Sequence, residues 1–191
     1  MSKHKARQKL KIIKAAMELI QVEGMSRVNM SKVAEAAGMT RQTLYNHFTD
    51  VENIITKALD MHGKAMLEHL QVVMAEAEGA SAKLHAFADF QVSSASAEHE
   101  TVSFEASLSA NARDRIAAHE RAVIGLLEKA TSEGLKSGDF TSEIDLVILT
   151  DLVQGVIKGG VASALRRPAQ KSEILESVYI ALGAILQEPN N

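Results

Sequence analysis

The 191-residue chain contains no cysteine and only two prolines. The absence of cysteine excludes disulfides and thiolate metal sites, and it suits a reducing cytoplasm. No apolar stretch is both long and unbroken. The most apolar one, 144–165, is interrupted by Asp145, Asp151, Lys158 and the pair Gly159 and Gly160. It is therefore expected as a buried helix rather than a membrane span. The opening segment, MSKHKARQKLK, is basic but lacks the apolar core of a signal peptide. A cytoplasmic protein that does not enter a membrane is expected. No segment alternates in the manner of a strand, and there is no internal repeat or low-complexity tract. Catalytic patterns are missing too: there is no Ser/His/Asp order, no glycine-rich phosphate loop and no paired carboxylate–histidine motif. Neither an enzyme nor a cofactor is expected. His62, His69, His85, His99 and His119 are scattered. His62 and His69 share a helix face, but no carboxylate stands near them at ligand spacing, so no metal site is expected.

Hydrophobic residues make up 46% of the chain, enough to build a core. Charge is unevenly distributed. Residues 1–60 hold ten Lys/Arg against six Asp/Glu, a net of +4, whereas residues 61–191 hold eleven against eighteen, a net of −7. A phosphate-binding head on an acidic body gives such an asymmetry, and so does a solvated basic helix face. For the basic start, Lys3, Lys5 and Arg7 included, a solvated disordered tail remains an open alternative.

Apolar residues recur at helical spacing almost everywhere. Ile13, Ala16, Met17 and Ile20 mark a first helix closed by Gly24. Asn29 is placed to cap a second, with Met30, Val33, Ala34 and Ala37, ended by Gly38. Thr40 caps a third, 41–48, whose inward residues are Leu44 and Phe48. Asp50 caps a fourth, with Val51, Ile54, Ile55, Ala58 and Leu59 on one face. Helices follow over 83–96, 104–110, 113–136 and 144–165, and the last carries Ile174, Leu175, Val178, Ala181, Leu182 and Ile185. The expected fold is all-α with about nine helices. Its expected domains are 1–60 and 61–191.

The third helix, within AAGMTRQTLYNHF, is short and unusually polar. Its connection to the second is too short for anything but a tight turn, which Gly38 permits. This is the helix-turn-helix pattern, in which the second helix of the pair enters the DNA major groove. With Leu44 and Phe48 inward, Arg41, Gln42, Thr43, Tyr45, Asn46 and His47 occupy the outer surface. Arg pairs with guanine, Gln with adenine, and the Thr methyl meets a thymine methyl. Tyr and His suit phosphate oxygens. A surface helix of an unrelated bundle fits the same residues.

Residues 8–60 resemble the DNA-binding domain of TetR-family transcriptional regulators. The resemblance rests on Ala16, Leu19, Ile20 and Gly24, then Val33, Ala34, Ala37, Gly38, Met39 and Thr40, and then Thr43, Leu44, Tyr45, His47 and Phe48. It implies a double-stranded, palindromic DNA operator and phosphate contacts by Thr40, Tyr45 and His47. It also implies base readers among Arg41, Gln42 and Thr43. Ser31, near the start of the second helix, either reaches the DNA backbone or faces water. One departure stands out: the family usually has Lys just after the cap of the fourth helix, where it can meet a phosphate, whereas this chain has Val51, and the nearby cations Lys3, Lys5 or Arg7 are placed to supply charge instead.

The resemblance further implies a helical effector domain and a homodimer formed through the last two helices. LVQGVIKGGVASAL supports close helix packing, because Gly155, Gly159, Gly160, Ala162 and Ala164 keep its helix narrow. Met66, Phe87, Phe90 and Phe104 are candidates to line an effector pocket between helices. Glu105 is placed to meet a cationic ligand. Plain core packing for the apolar four, and a surface or interface role for Glu105, stay open. The expected function is a ligand-responsive regulator released from its operator by a small molecule. A DNA-binding protein whose C-terminal half only oligomerises is the alternative.

Overall fold

The computed structural model describes residues 3–95 and 108–187. Among them are eight α-helices and no strand: α1 Lys3–Glu23, α2 Met30–Ala36, α3 Arg41–Tyr45, α4 Val51–Ala75, α5 Ala80–Ser94, α6 Ala110–Ser137, α7 Leu146–Arg166 and α8 Lys171–Leu186. Single 3-10 turns lie at Met25–Arg27 and Pro168–Gln170. The all-α expectation holds. The ninth expected helix, 104–110, lies mainly outside the described residues.

Two packing units emerge. One is Met1–Ala65 with Thr101–Ala118, and the other is Met66–Glu100 with His119–Asn191. The backbones of α4 and α6 each pass from one unit into the other.

The first unit is built around Ile12, Ile13 and Ala16 of α1, Val33 and Ala34 of α2, Leu44 of α3, Phe48, and Ile54 of α4. Each helix start is set locally. Asn29 accepts hydrogen bonds from the backbone N–H of Ser31 and Lys32 at 3.0 and 3.1 Å, and Asp50 accepts from that of Asn53 at 2.7 Å. The end of α2 is equally specific. Gly38 sits at φ +60°, its N–H reaches Glu35 O, and the Met39 N–H reaches Ala34 O, both at 2.9 Å. This is a Schellman closure, which needs a left-handed residue at that glycine. A satellite cluster of Ile55, Leu108 and Ala112 lies beside Leu59 and Ile116. Asp60 ties α4 to α6 there, meeting Lys57 at 2.9 Å and Arg115 at 3.2 Å. The hydrogen bond from Lys57 leads the causes that hold its carboxyl below the ordinary range.

The second unit buries Leu70, Leu84, Phe87, Val92, Leu127, Leu149, Val153, Ile157, Val178 and Leu182. Lys171 at the start of α8 donates to Ser93 O at 3.0 Å and Ala95 O at 2.8 Å. It thus places a cation on carbonyls that the end of α5 leaves open. The glycines of α7 divide by face. A Cβ on Gly160 would lie 2.6 Å from Val178 Cγ2, so this glycine lets α7 close on α8, whereas a Cβ on Gly155 or Gly159 would meet nothing within 4 Å among the described residues.

Gly134, inside α6, is the tightest such position. After the turn at Gly138, Phe140 folds back so that a Cβ on Gly134 would lie 2.1 Å from its Cε2. Phe140 is buried, and its N–H bonds Gly134 O at 3.1 Å. Gly134→Ala is expected to lower stability by about 1–3 kcal/mol despite the better helix propensity of alanine. Denaturant unfolding of both proteins checks this; an equal or higher midpoint would show that the ring moves aside freely.

Candidate nucleic-acid interface

α2, the Gly38 turn and α3 form a helix-turn-helix unit seated on α1. Thr40 opens α3: its Oγ1 accepts from the Thr43 N–H at 3.1 Å and lies 2.9 Å from Thr43 Oγ1. α3 runs only to Tyr45 and is closed by Asn46, whereas a helix to residue 48 was expected. The inward side chains are nonetheless the expected ones, for Leu44 and Phe48 are 0% and 4% exposed. Phe48 also carries Lys9 Nζ 5.8 Å from its ring centroid.

What remains outside is polar. Arg41, Gln42, Tyr45 and Asn46 are exposed, and Thr43 and His47 are half-buried. Arg41 makes no hydrogen bond or ion pair among the described residues. Gln42 Nε2 reaches Asn46 Oδ1 at a long 3.4 Å. Thr40 is exposed and Ser31 half-buried, each at the start of its helix.

His47 is the exception to this free polar face. Its Nε2–H donates to Gln8 Oε1 of α1 at 3.1 Å, and its Nδ1 is buried without a partner among the described residues. Burial first, then the charges of Lys5, Lys9 and His4, hold its pKa below the ordinary histidine value. The imidazole is therefore uncharged at neutral pH. Gln8, Lys5 and His4 line one groove with Thr43, Asn46 and His47. That α1 is helical from Lys3 places them there and removes the disordered-tail alternative. Gln8 and His4 were missed in the sequence. The available signal was spacing, because Gln8 and Ile12 are one turn apart on the helix.

Residues 12–57 match the family model of bacterial regulatory proteins, tetR family. Those residues form a DNA-binding domain of the TetR type, which makes the chain a DNA-binding transcriptional regulator. A fatty acid metabolism regulator protein of Bacillus subtilis (strain 168) is 24% identical over 159 residues, 81% of this chain and 82% of that one. The solved fatty acid degradation regulator FadR of Bacillus halodurans is similar with a TM-score of 0.76 at 21% identity, covering 95% of this chain and 97% of that one. FadR of Bacillus subtilis, solved in complex with stearoyl-CoA, gives 0.70 at 21% identity, covering 95% and 99%. At these identities the structural likeness is one of fold.

In the second unit, Phe87 is a core residue at 1% exposure. Phe90 packs at the core's edge, its ring set edge-on to His69 at 5.0 Å, and Met66 is half-buried on α4. Phe104 and Glu105 lie outside the described residues. A polar group that the sequence did not suggest lies between α5 and α8. The Tyr179 hydroxyl donates to Asp89 Oδ1, and the His85 ring stacks at 4.2 Å on Tyr179. Burial and Asp89 push the phenol well above its ordinary pKa, so it stays protonated.

Proposed function

We propose that the chain is a ligand-responsive repressor that binds a palindromic operator as a homodimer and is released by a small molecule held in the second unit. The carrying observation is the outer face of α3, where Arg41 and Gln42 stand exposed on a helix anchored by Leu44 and Phe48. In this reading Arg41, Gln42 and Thr43 meet base edges. Ser31, Thr40, Tyr45, Asn46 and the turn at His47 lie along phosphates. The protein works in the cytoplasm, beside the chromosome.

An apolar surface on the last two helices supports the dimer. Val147, Ile148 and Leu152 of α7 are 62%, 56% and 43% exposed, and Ile180 of α8 is 75% exposed. By length and composition α7 is also apolar enough to cross a bilayer. However, Leu149, Val153, Ile157 and Ala164 are buried in the protein's own core, and Asp151 and Lys158 lie among the exposed residues. A second copy suits that half-covered helix better than lipid does.

Selection of bound fragments from random duplex DNA tests the operator. An enriched inverted repeat is expected, with binding that weakens steeply as salt rises. No enrichment at low salt defeats the proposal. For the effector, a long-chain acyl-CoA is the first class to titrate, because the Bacillus subtilis FadR structure holds stearoyl-CoA. An effector that releases operator must itself bind less tightly in the operator's presence, by the same factor. Equal affinities in the two titrations would leave DNA binding intact and remove induction.

A further inference from the structure

His4, Lys5 and Gln8 of α1, Thr43 of α3, and Asn46 and His47 in the turn just after it line an open groove of about 570 Å³. The hydrogen bond from His47 Nε2 to Gln8 Oε1, 3.1 Å long, has two consequences. It uses the one N–H of the neutral imidazole, and the other ring nitrogen is buried and has no partner among the described residues. His47 therefore has no donor left to offer an incoming oxygen. It also occupies the carbonyl end of the Gln8 carboxamide, and the NH2 end has no partner among the described residues. Lys5 beside it is exposed and makes no ion pair there. Meanwhile α4 begins with Val51, which supplies no cation at its own start.

We propose that this groove seats one phosphate of the DNA backbone, bound by the Lys5 ammonium and the Gln8 NH2, and that His47 is a positioning residue that orients Gln8. The inference rests on the DNA-binding function proposed above. It reverses the direct role that the family resemblance implied for His47. A phosphate suits the groove because a cation and an amide donor line it together with two further polar side chains, Thr43 of the helix that carries the base readers and Asn46 at its cap.

The test measures binding to the selected operator and to an unrelated duplex across a salt series. Lys5→Ala is expected to make log K against log salt shallower by about one per protomer, and to weaken both DNAs alike. Gln8→Ala removes no charge, so it should weaken both DNAs with the slope kept. His47→Leu should match that loss, and the double variant should lose no more than either single one. His47→Gln, which returns an N–H at similar reach, should bind close to the unsubstituted protein. A structural defect would not separate slope from affinity in this way, nor be rescued by glutamine. An unchanged slope in Lys5→Ala, or additive losses for Gln8 and His47, overturns the inference and leaves DNA binding standing. Failure of the unsubstituted protein to bind any duplex overturns both.

Discussion

Leu152→Asp combined with Ile180→Asp is expected to give a folded monomer that binds the full operator about 10²–10⁴-fold more weakly. The argument begins with exposure. Both side chains lie largely outside the protomer's own core, at 43% and 75% exposure. Aspartate there costs the isolated fold little, since surface substitutions away from caps and networks are nearly neutral. In a dimer the same charges would be buried unpaired on both sides of a two-fold contact, where each costs several kcal/mol. The DNA effect is then one of effective concentration. Once one recognition helix is docked, the second finds its half-site as an intramolecular event, and a monomer loses that advantage. Light scattering should show the change of mass. Titration of a single half-site should show almost equal affinity for both proteins, because each α3 is untouched. A variant that stays dimeric would move the interface elsewhere. A monomer that binds the full operator undiminished would remove dimerisation from the mechanism.

The parts of this structure legible in the sequence are those decided within a few residues. Asn29, Thr40 and Asp50 cap because a short polar side chain reaches a backbone N–H two or three positions on. Gly38 ends α2 because its left-handed backbone suits glycine. Leu44 and Phe48 face inward by helical spacing. What remained hidden depends on partners far along the chain. His47 and Gln8 are 39 residues apart, and nothing local distinguishes a histidine that meets phosphate from one that holds a glutamine. The first turns of α1 are polar all round, so periodicity was silent, although Lys, Ala, Arg and Gln are good helix formers. The glycines of α7 read as one narrow surface. A period of 3.6 separates them, because Gly160 continues the buried series Leu149, Val153 and Ile157, whereas Gly155 and Gly159 lie on the open face. Whether Met66, Phe87 and Phe90 serve an effector stayed illegible because an apolar side chain in a helical bundle looks the same whether it packs against a neighbour or lines a ligand.

Arg41→Ala or Gln42→Ala is expected to cost about 1–3 kcal/mol on the operator, between fivefold and 150-fold in affinity, and to relax preference at one base step in each half-site. Both residues sit in the first turn of α3, the end from which a recognition helix addresses base edges. Arg41 has little to give up on binding, since it makes no hydrogen bond or ion pair among the described residues. Gln42 gives up only a long contact to Asn46. Most of the energy of a new bidentate pair is therefore retained as discrimination. Tyr45 behaves differently. It is 53% exposed near the far end of the helix, and a phosphate partner carries no sequence information. Tyr45→Phe should therefore weaken operator and unrelated DNA by the same factor and leave the preferred sequence unchanged. The comparison is made by repeating the random-pool selection with each variant and measuring affinity on both DNAs. If Arg41→Ala and Gln42→Ala recover the unsubstituted consensus and lose equally on both DNAs, neither reads a base. Specificity would then have to come from Thr43 and from the shape of the duplex between the half-sites.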